Sequence, residues 1–109
     1  MSISNNNDIM MVSEDDRAIH TYSTDGDLKS TIKVPDGHET LQVAFHHAIC
    51  KIIVLTYVKK EDSYFLLSYS ETGELENSVF FCKANAEVEM KSHPSGPVAV
   101  RYDIIVTFL

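Results

Sequence analysis

The stretch Tyr69-Ser70-Glu71-Thr72-Gly73-Glu74-Leu75 repeats Tyr22-Ser23-Thr24-Asp25-Gly26-Asp27-Leu28 after 47 positions. Each copy ends a β-prone run in an aromatic residue, turns through a polar segment whose glycine supplies positive φ, and starts a return run at a leucine. The spacing predicts one β-hairpin used twice, with Gly26 and Gly73 as structural turn residues. Short strands recurring at such a period point to a propeller blade or a related β-repeat rather than to a single sandwich.

Working outward, the first hairpin is preceded by the apolar run Ile9 to Ser13, the acidic turn Glu14-Asp15-Asp16-Arg17 and the strand-like Ala18 to Ser23. Leu28 to Val34 returns, and Pro35-Asp36-Gly37 closes the unit. The second unit opens with Leu41, Val43 and Phe45 alternating against Gln42, Ala44 and His46, the period of a half-buried strand. Cys50 to Val58 follows as a continuous, β-branched run, which predicts a strand covered on both faces. After the charged turn Lys59 to Asp62 come Tyr64 to Ser70, the repeated turn, and Leu75 to Phe81. A third unit starts at Val88 and Met90, 47 positions after Leu41 and Val43, with His93 equally placed after His46. It continues through Pro94-Ser95-Gly96-Pro97, where Gly96 is the third structural turn glycine, to Val98–Tyr102 and Ile104–Leu109. Two registers compete at the end: Asp103 to Thr107 resembles Asp8 to Ser13, while Val106-Thr107-Phe108 resembles His20-Thr21-Tyr22 and Leu67-Ser68-Tyr69. The second is preferred because it makes Val98 to Tyr102 the preceding strand.

Naming successive strands a to d, the order is b, c, d, then a, b, c, d, then a, b, c. No helix is expected, since apolar residues nowhere recur at helical spacing for three turns. The sequence therefore predicts an all-β fold of antiparallel four-stranded, blade-like repeats. Residues 1–7 read as a disordered lead-in and residues 8–109 as a single repeat domain, with units at about 8–37, 38–84 and 85–109.

With 109 residues, 44% of them hydrophobic and 23% charged, the chain has the composition of one globular unit. Nine basic residues against sixteen acidic ones, a net charge of −7, oppose binding to phosphate backbones. The longest apolar run, Ile52 to Leu55, is too short for a bilayer, and Ser2 to Asp8 does not read as a signal peptide. Two cysteines without a CxxC pair, and no Asn-x-Ser/Thr sequon, fit a reducing compartment. A soluble, cytoplasmic protein is the expectation.

The segment His93-Pro94-Ser95-Gly96-Pro97-Val98-Ala99-Val100 and the two Tyr-Ser-x-x-Gly-x-Leu copies resemble blades of six-bladed β-propellers, in particular the NHL repeats of tripartite-motif proteins. The Asn-His-Leu triplet that names those repeats is absent. The resemblance implies a non-catalytic module whose loops at one end of a ring hold a protein or RNA partner, and in tripartite-motif proteins recruit clients for ubiquitin transfer. The acid excess favours protein. A ring of six blades needs roughly 250 residues at about 40 to 50 per blade. A chain of about two and a half blades is then completed by self-association, or belongs to a longer propeller, or closes on itself as a small sandwich. Self-association is expected because Val98 to Leu109 is a hydrophobic segment with no partner strand left in its own chain.

Candidate chemistry is sparse. His46, His47 and Cys50 lie together and His93 is the repeat mate of His46, so His46 and His93 are the candidate metal ligands. The spacing matches no zinc pattern, and adjacent strand residues point to opposite faces. The simpler expectation is that His46 and His93 hydrogen-bond at equivalent turns. A Cys50 thiolate with His46 or His47 needs an electropositive, open setting, whereas Cys50 borders an apolar run and reads as a buried structural cysteine. The acidic clusters Glu14-Asp15-Asp16, Asp25-Gly26-Asp27 and Glu71 to Glu76 lack the ligand series of a calcium loop and read as solvated turns. Tyr22, Tyr57, Tyr64, Phe65, Tyr69, Phe80, Phe81, Tyr102 and Phe108 read as strand packing rather than a stacking platform. No cofactor is expected. The expected function is a non-catalytic protein-interaction module; the alternatives are a fragment of a metal-dependent six-bladed propeller enzyme, using His46 and His93, and a lectin-like β-sandwich.

Overall fold

A computed structural model describes residues 2–4, 7–84, 88–91, 97–101 and 104–107. The described residues contain strands and turns but no helix. Eleven strands follow in order: β1 (Ser2–Ile3), β2 (Ile9–Ser13), β3 (Ala18–Tyr22), β4 (Leu28–Lys33), β5 (His38–His46), β6 (Lys51–Val58), β7 (Ser63–Ser70), β8 (Leu75–Lys83), β9 (Val88–Lys91), β10 (Val98–Arg101) and β11 (Ile104–Thr107). They form two four-stranded antiparallel meanders, β1-β2-β3-β4 and β5-β6-β7-β8, and a third sheet ordered β11-β10-β9. None of the sheets closes on itself.

The two copies of the hairpin adopt the same backbone hydrogen bonds. In the first, Gly26 N–H donates to Ser23 O (2.9 Å), Ser23 N–H to Asp27 O (2.8 Å) and Asp27 N–H to Ser23 Oγ (3.2 Å). In the second, Gly73 N–H donates to Ser70 O (3.0 Å), Ser70 N–H to Glu74 O (2.9 Å) and Glu74 N–H to Ser70 Oγ (3.1 Å). The glycines sit at φ of 90° and 93°, a region that penalises any Cβ. A bulge follows in both, between Thr21 and Tyr22 and between Ser68 and Tyr69, so Tyr22 faces Leu28 as Tyr69 faces Leu75.

Strand alternation then decides how the sheets stack. On the second sheet Val43, Phe45, Ile52, Val54, Leu67 and Tyr69 share one face and pack with Met10, Ile19, Ile32 and Val34 of the first sheet. Its opposite face carries Ile53, Leu55 and Leu66, covered by Leu41, Tyr64, Phe81 and by Val88 and Met90 of the third sheet. The second sheet is thus buried on both sides, which is why β6 reads as a continuous apolar run. Strands β4 and β8 are largely exposed.

Several sequence expectations change. Ser2–Ile3 lies in the span expected as a disordered lead-in, yet it pairs with Ile9–Met10, and Ser2 Oγ accepts the Phe45 N–H at 2.9 Å. This short β1 occupies the a position that the sequence left blank. Val98 to Leu109 was expected to lack a partner strand; instead β10 pairs with both β9 and β11, in the preferred register. Cys50 is not buried: residues 47–50 form the turn between β5 and β6, with Cys50 exposed at φ 53°. Cys82 is the buried thiol. His93 and Gly96 lie outside the described residues. Among the described residues no helix is long and apolar enough to cross a membrane.

Candidate functional site

The first two sheets part at one end. A cleft of about 440 Å³ opens there between strands β2 to β4 and the Glu71-Thr72-Gly73 turn. Met10, Ile32, Phe45 and Ile52 supply apolar lining, and Ser4, Asp8, Thr21, Lys29, Ser30, Thr31, Glu71 and Thr72 supply polar lining.

Local structure explains how charge reaches this place. The register passes from Thr21–Ser30 to Tyr22–Leu28, leaving Lys29 as the unpaired bulge residue. A bulge re-aims its side chain, and Lys29 Nζ lies 2.9 Å from Asp8 Oδ2. Asp8 is fixed in turn by the link between β1 and β2: Ser4 N–H donates to Asp8 O (2.9 Å) and Asp8 N–H to Ser4 Oγ (3.2 Å). The Asp8 side chain is 12% exposed and that of Lys29 48%, so the ion pair joins a nearly buried anion to a half-open cation.

The second sheet carries the same device with the charges exchanged. Glu76 is its bulge residue, skipped between Ser68–Asn77 and Tyr69–Leu75. Its carboxylate accepts from Lys51 Nζ. Lys51 precedes Ile52, which pairs with Tyr69, just as Asp8 precedes Ile9, which pairs with Tyr22. Lys29 and Glu76 are themselves 47 positions apart, so this half of the exchange was readable in the two copies of the sequence, whereas Asp8 and Lys51 are 43 apart. Sequence reasoning missed Asp8 and Lys29 because it compared the turns and not the strands beside them.

His46 occupies the position next to this second ion pair, opposite Lys51 in the register. It is 1% exposed, and neither ring nitrogen has a partner among the described residues. The expected hydrogen bond at an equivalent turn is therefore not made by the His46 ring. Alternation puts it on the face with Gln42, whose Oε1 accepts the Met90 N–H of the third sheet at 2.6 Å. His47 lies in the turn, its ring 5.0 Å from that of Phe45, and the Cys50 thiol donates to His47 O at 3.7 Å. Among the described residues no group of three metal-ligating side chains assembles.

The acidic turns Glu14-Asp15-Asp16 and Asp25-Gly26-Asp27 are exposed; Asp16 bonds Ser13 Oγ and His20 Nε2. Of the aromatics, Phe65 makes edge contacts with both His38 and Phe80, and Tyr57 packs on Tyr64. Tyr57 donates its hydroxyl to Asp62 Oδ1 at 2.7 Å, and that bond, with some loss of solvent, holds its pKa above the usual value of 10.0. Burial alone raises that of Tyr69, whose hydroxyl is buried without a partner. His38 Nδ1 is 2.7 Å from Thr56 Oγ1, and burial lowers its pKa against the opposing charge of Glu61.

The cleft offers hydroxyls, the Asp8–Lys29 ion pair, Glu71 and an apolar floor, and no histidine or cysteine lines it among the described residues. Such a lining can hydrogen-bond a main chain and seat an apolar side chain. Comparison with family models, with curated proteins and with solved structures finds no match to this chain.

Proposed function

We propose that the chain is a non-catalytic protein-interaction module built from propeller-type blades, similar in kind to the NHL repeats of tripartite-motif proteins. The observation that carries this reading is the stacking. One repeated meander packs its Val43-Phe45-Ile52-Tyr69 face on the preceding sheet and offers its other face to the next, with the same hairpin in both. Blades of a propeller stack in that way. The mostly exposed β4 and β8 then correspond to outer strands.

The cleft between the first two sheets is the partner site, and its occupant is a peptide segment of a protein. Hydroxyls of Ser30 and Thr72 take up main-chain hydrogen bonds, and Met10, Ile32 and Phe45 receive an apolar side chain. A net charge of −7 favours a basic segment.

The test is selection of a displayed random-peptide library on the folded protein, followed by titration of enriched peptides against Ser30→Arg and Thr72→Arg. The reading expects basic-apolar peptides whose affinity falls at least tenfold when either arginine fills the cleft. Failure to enrich any peptide, or enriched peptides indifferent to both substitutions, refutes it.

A further inference from the structure

We infer that the cleft reads an arginine of the bound segment through the Asp8 carboxylate, and that Lys29 is a built-in stand-in which this arginine displaces. The inference rests on the peptide reading of the cleft above, and adds the residue that is read and the group that reads it. The two members of the ion pair are held differently. Asp8 is anchored by its backbone, since Ser4 N–H donates to its carbonyl and Ser4 Oγ accepts its N–H. Its carboxylate lines the cleft, is 12% exposed, and stays in place when its cation leaves. Lys29 stands at a bulge on β4, the edge strand of the first sheet, with nearly half of its side chain open to solvent. Among the described residues its ammonium bonds Asp8 Oδ2 alone, and Asp8 Oδ1 has no partner.

A nearly buried carboxylate left without a cation is costly, so Lys29 leaves when another cation takes its place. The cleft therefore selects for positive charge at this point. The second sheet shows the converse arrangement: its bulge residue is Glu76, so the partner free to swing is the anion, and the fixed one, Lys51, sits on the inner strand β6. Arginine suits the first site better than lysine does. A planar guanidinium meets both carboxylate oxygens at once, whereas the Lys29 ammonium meets one. It is also more weakly hydrated, and loses less on entering a cleft floored by Met10, Phe45 and Ile52. The lining carries two carboxylates, Asp8 and Glu71, against the ammonium of Lys29, so an incoming arginine brings its charge to balance rather than to excess.

The experiment titrates isotope-labelled protein with N-acetyl-arginine methylamide, its citrulline and lysine analogues, and free arginine, following amide chemical shifts in the wild type, Lys29→Met and Asp8→Asn. The arginine compound is expected to shift the amides of Asp8, Lys29 and Thr72, and to bind about tenfold more tightly than the neutral citrulline analogue. Lys29→Met removes the internal competitor and is expected to strengthen arginine binding roughly threefold or more, the worth of a half-exposed ion pair. A lysine that only braced the bulge would leave that affinity unchanged. Asp8→Asn keeps the backbone bonds to Ser4 and is expected to abolish the preference for arginine over citrulline; should it fail to fold, the wild type and Lys29→Met decide. Absence of shifts at the cleft, equal binding of the arginine compound and either analogue, or Lys29→Met binding arginine no more tightly overturns the inference. Tighter binding of free arginine than of the capped compound assigns the site to a small molecule and overturns it as well. Loss of the arginine preference leaves the peptide reading standing, because main-chain bonds and an apolar side chain can hold a segment without it; failure of that reading shows instead as a library that enriches nothing.

Discussion

Replacing the two repeat-related glycines by alanine separates turn geometry from packing between sheets. Both residues have φ near +90°, where an L side chain costs about 1–2 kcal/mol, offset by about 0.4–1 kcal/mol of lost freedom in the unfolded chain. Gly26→Ala places its Cβ in open space, and its net cost is about 1 kcal/mol. Gly73→Ala puts Cβ 3.2 Å from Ile32 Cγ1 and 3.5 Å from Ile32 Cδ1. Ile32 is 9% exposed and packs with Ile19 in the core between the sheets, so it can yield only by leaving its rotamer, which adds about 1 kcal/mol. In thermal melts of a domain this size, about 4–8 °C is lost per kcal/mol. The second substitution is therefore expected to lower Tm about twice as far as the first. On an Ile32→Ala background, which removes both crowded atoms, the two substitutions should cost the same. Equal losses in the parent protein would refute the claim that the β7–β8 turn rests on the first sheet.

Three further outcomes are expected. His46→Phe keeps the volume and removes two buried nitrogens without partners, so stability should hold or rise by about 1 kcal/mol in urea titration; a loss of that size would mean the ring is bonded. Lys29→Glu sets two carboxylates together and should cost about 1 kcal/mol, while Asp8→Lys with Lys29→Glu, the arrangement that Lys51 and Glu76 already use, should recover most of it; a double-mutant cycle without coupling would contradict the pairing. Because burial depresses the His38 pKa, the unfolded chain binds the extra proton first: the His38 contribution is full above about pH 6.5 and falls as pH drops toward the folded pKa. Melts between pH 7.5 and 5 should show this slope, and His38→Gln should flatten it.

The repeat was legible because its turn chemistry is strict. A glycine after Ser-x-x and a leucine six positions after tyrosine leave few alternatives to the bulged hairpin that Ser23–Asp27 and Ser70–Glu74 form. The continuous run of β6 announced a strand covered on both sides, and the sheets on either side of it are the reason. Cys50 was misread because it adjoins that run, and its place in the β5–β6 turn, at φ 53°, is set by His46 pairing with Lys51. Strand β1 was missed because two residues among asparagines carry no periodic signal; its pairing comes from Met10 and Phe45, which are distant in sequence. The cleft was invisible for the same reason, since Ser4, Lys29 and Thr72 meet only once the sheets stack.

Repetition supplies its own control for reading function. Where the two copies agree, as at Tyr22 and Tyr69, Ser23 and Ser70, or Gly26 and Gly73, one requirement of the fold is met twice, and a partner need not be invoked. Where they differ at equal backbone geometry, the fold has not made the choice. Asp8 with Lys29 and Lys51 with Glu76 span the same bulge with opposite polarity, yet the first pair lines an open cleft and the second lies beside the buried ring of His46. An ion pair needed only to brace the bulge would work in either sense and in either place. Opposite polarity at matched positions means that a charged segment of the kind proposed for the cleft would meet the reverse field at Lys51 and Glu76. Selectivity of that kind comes from orientation of charge rather than from its amount, and it would persist in a variant whose net charge is restored elsewhere on the surface.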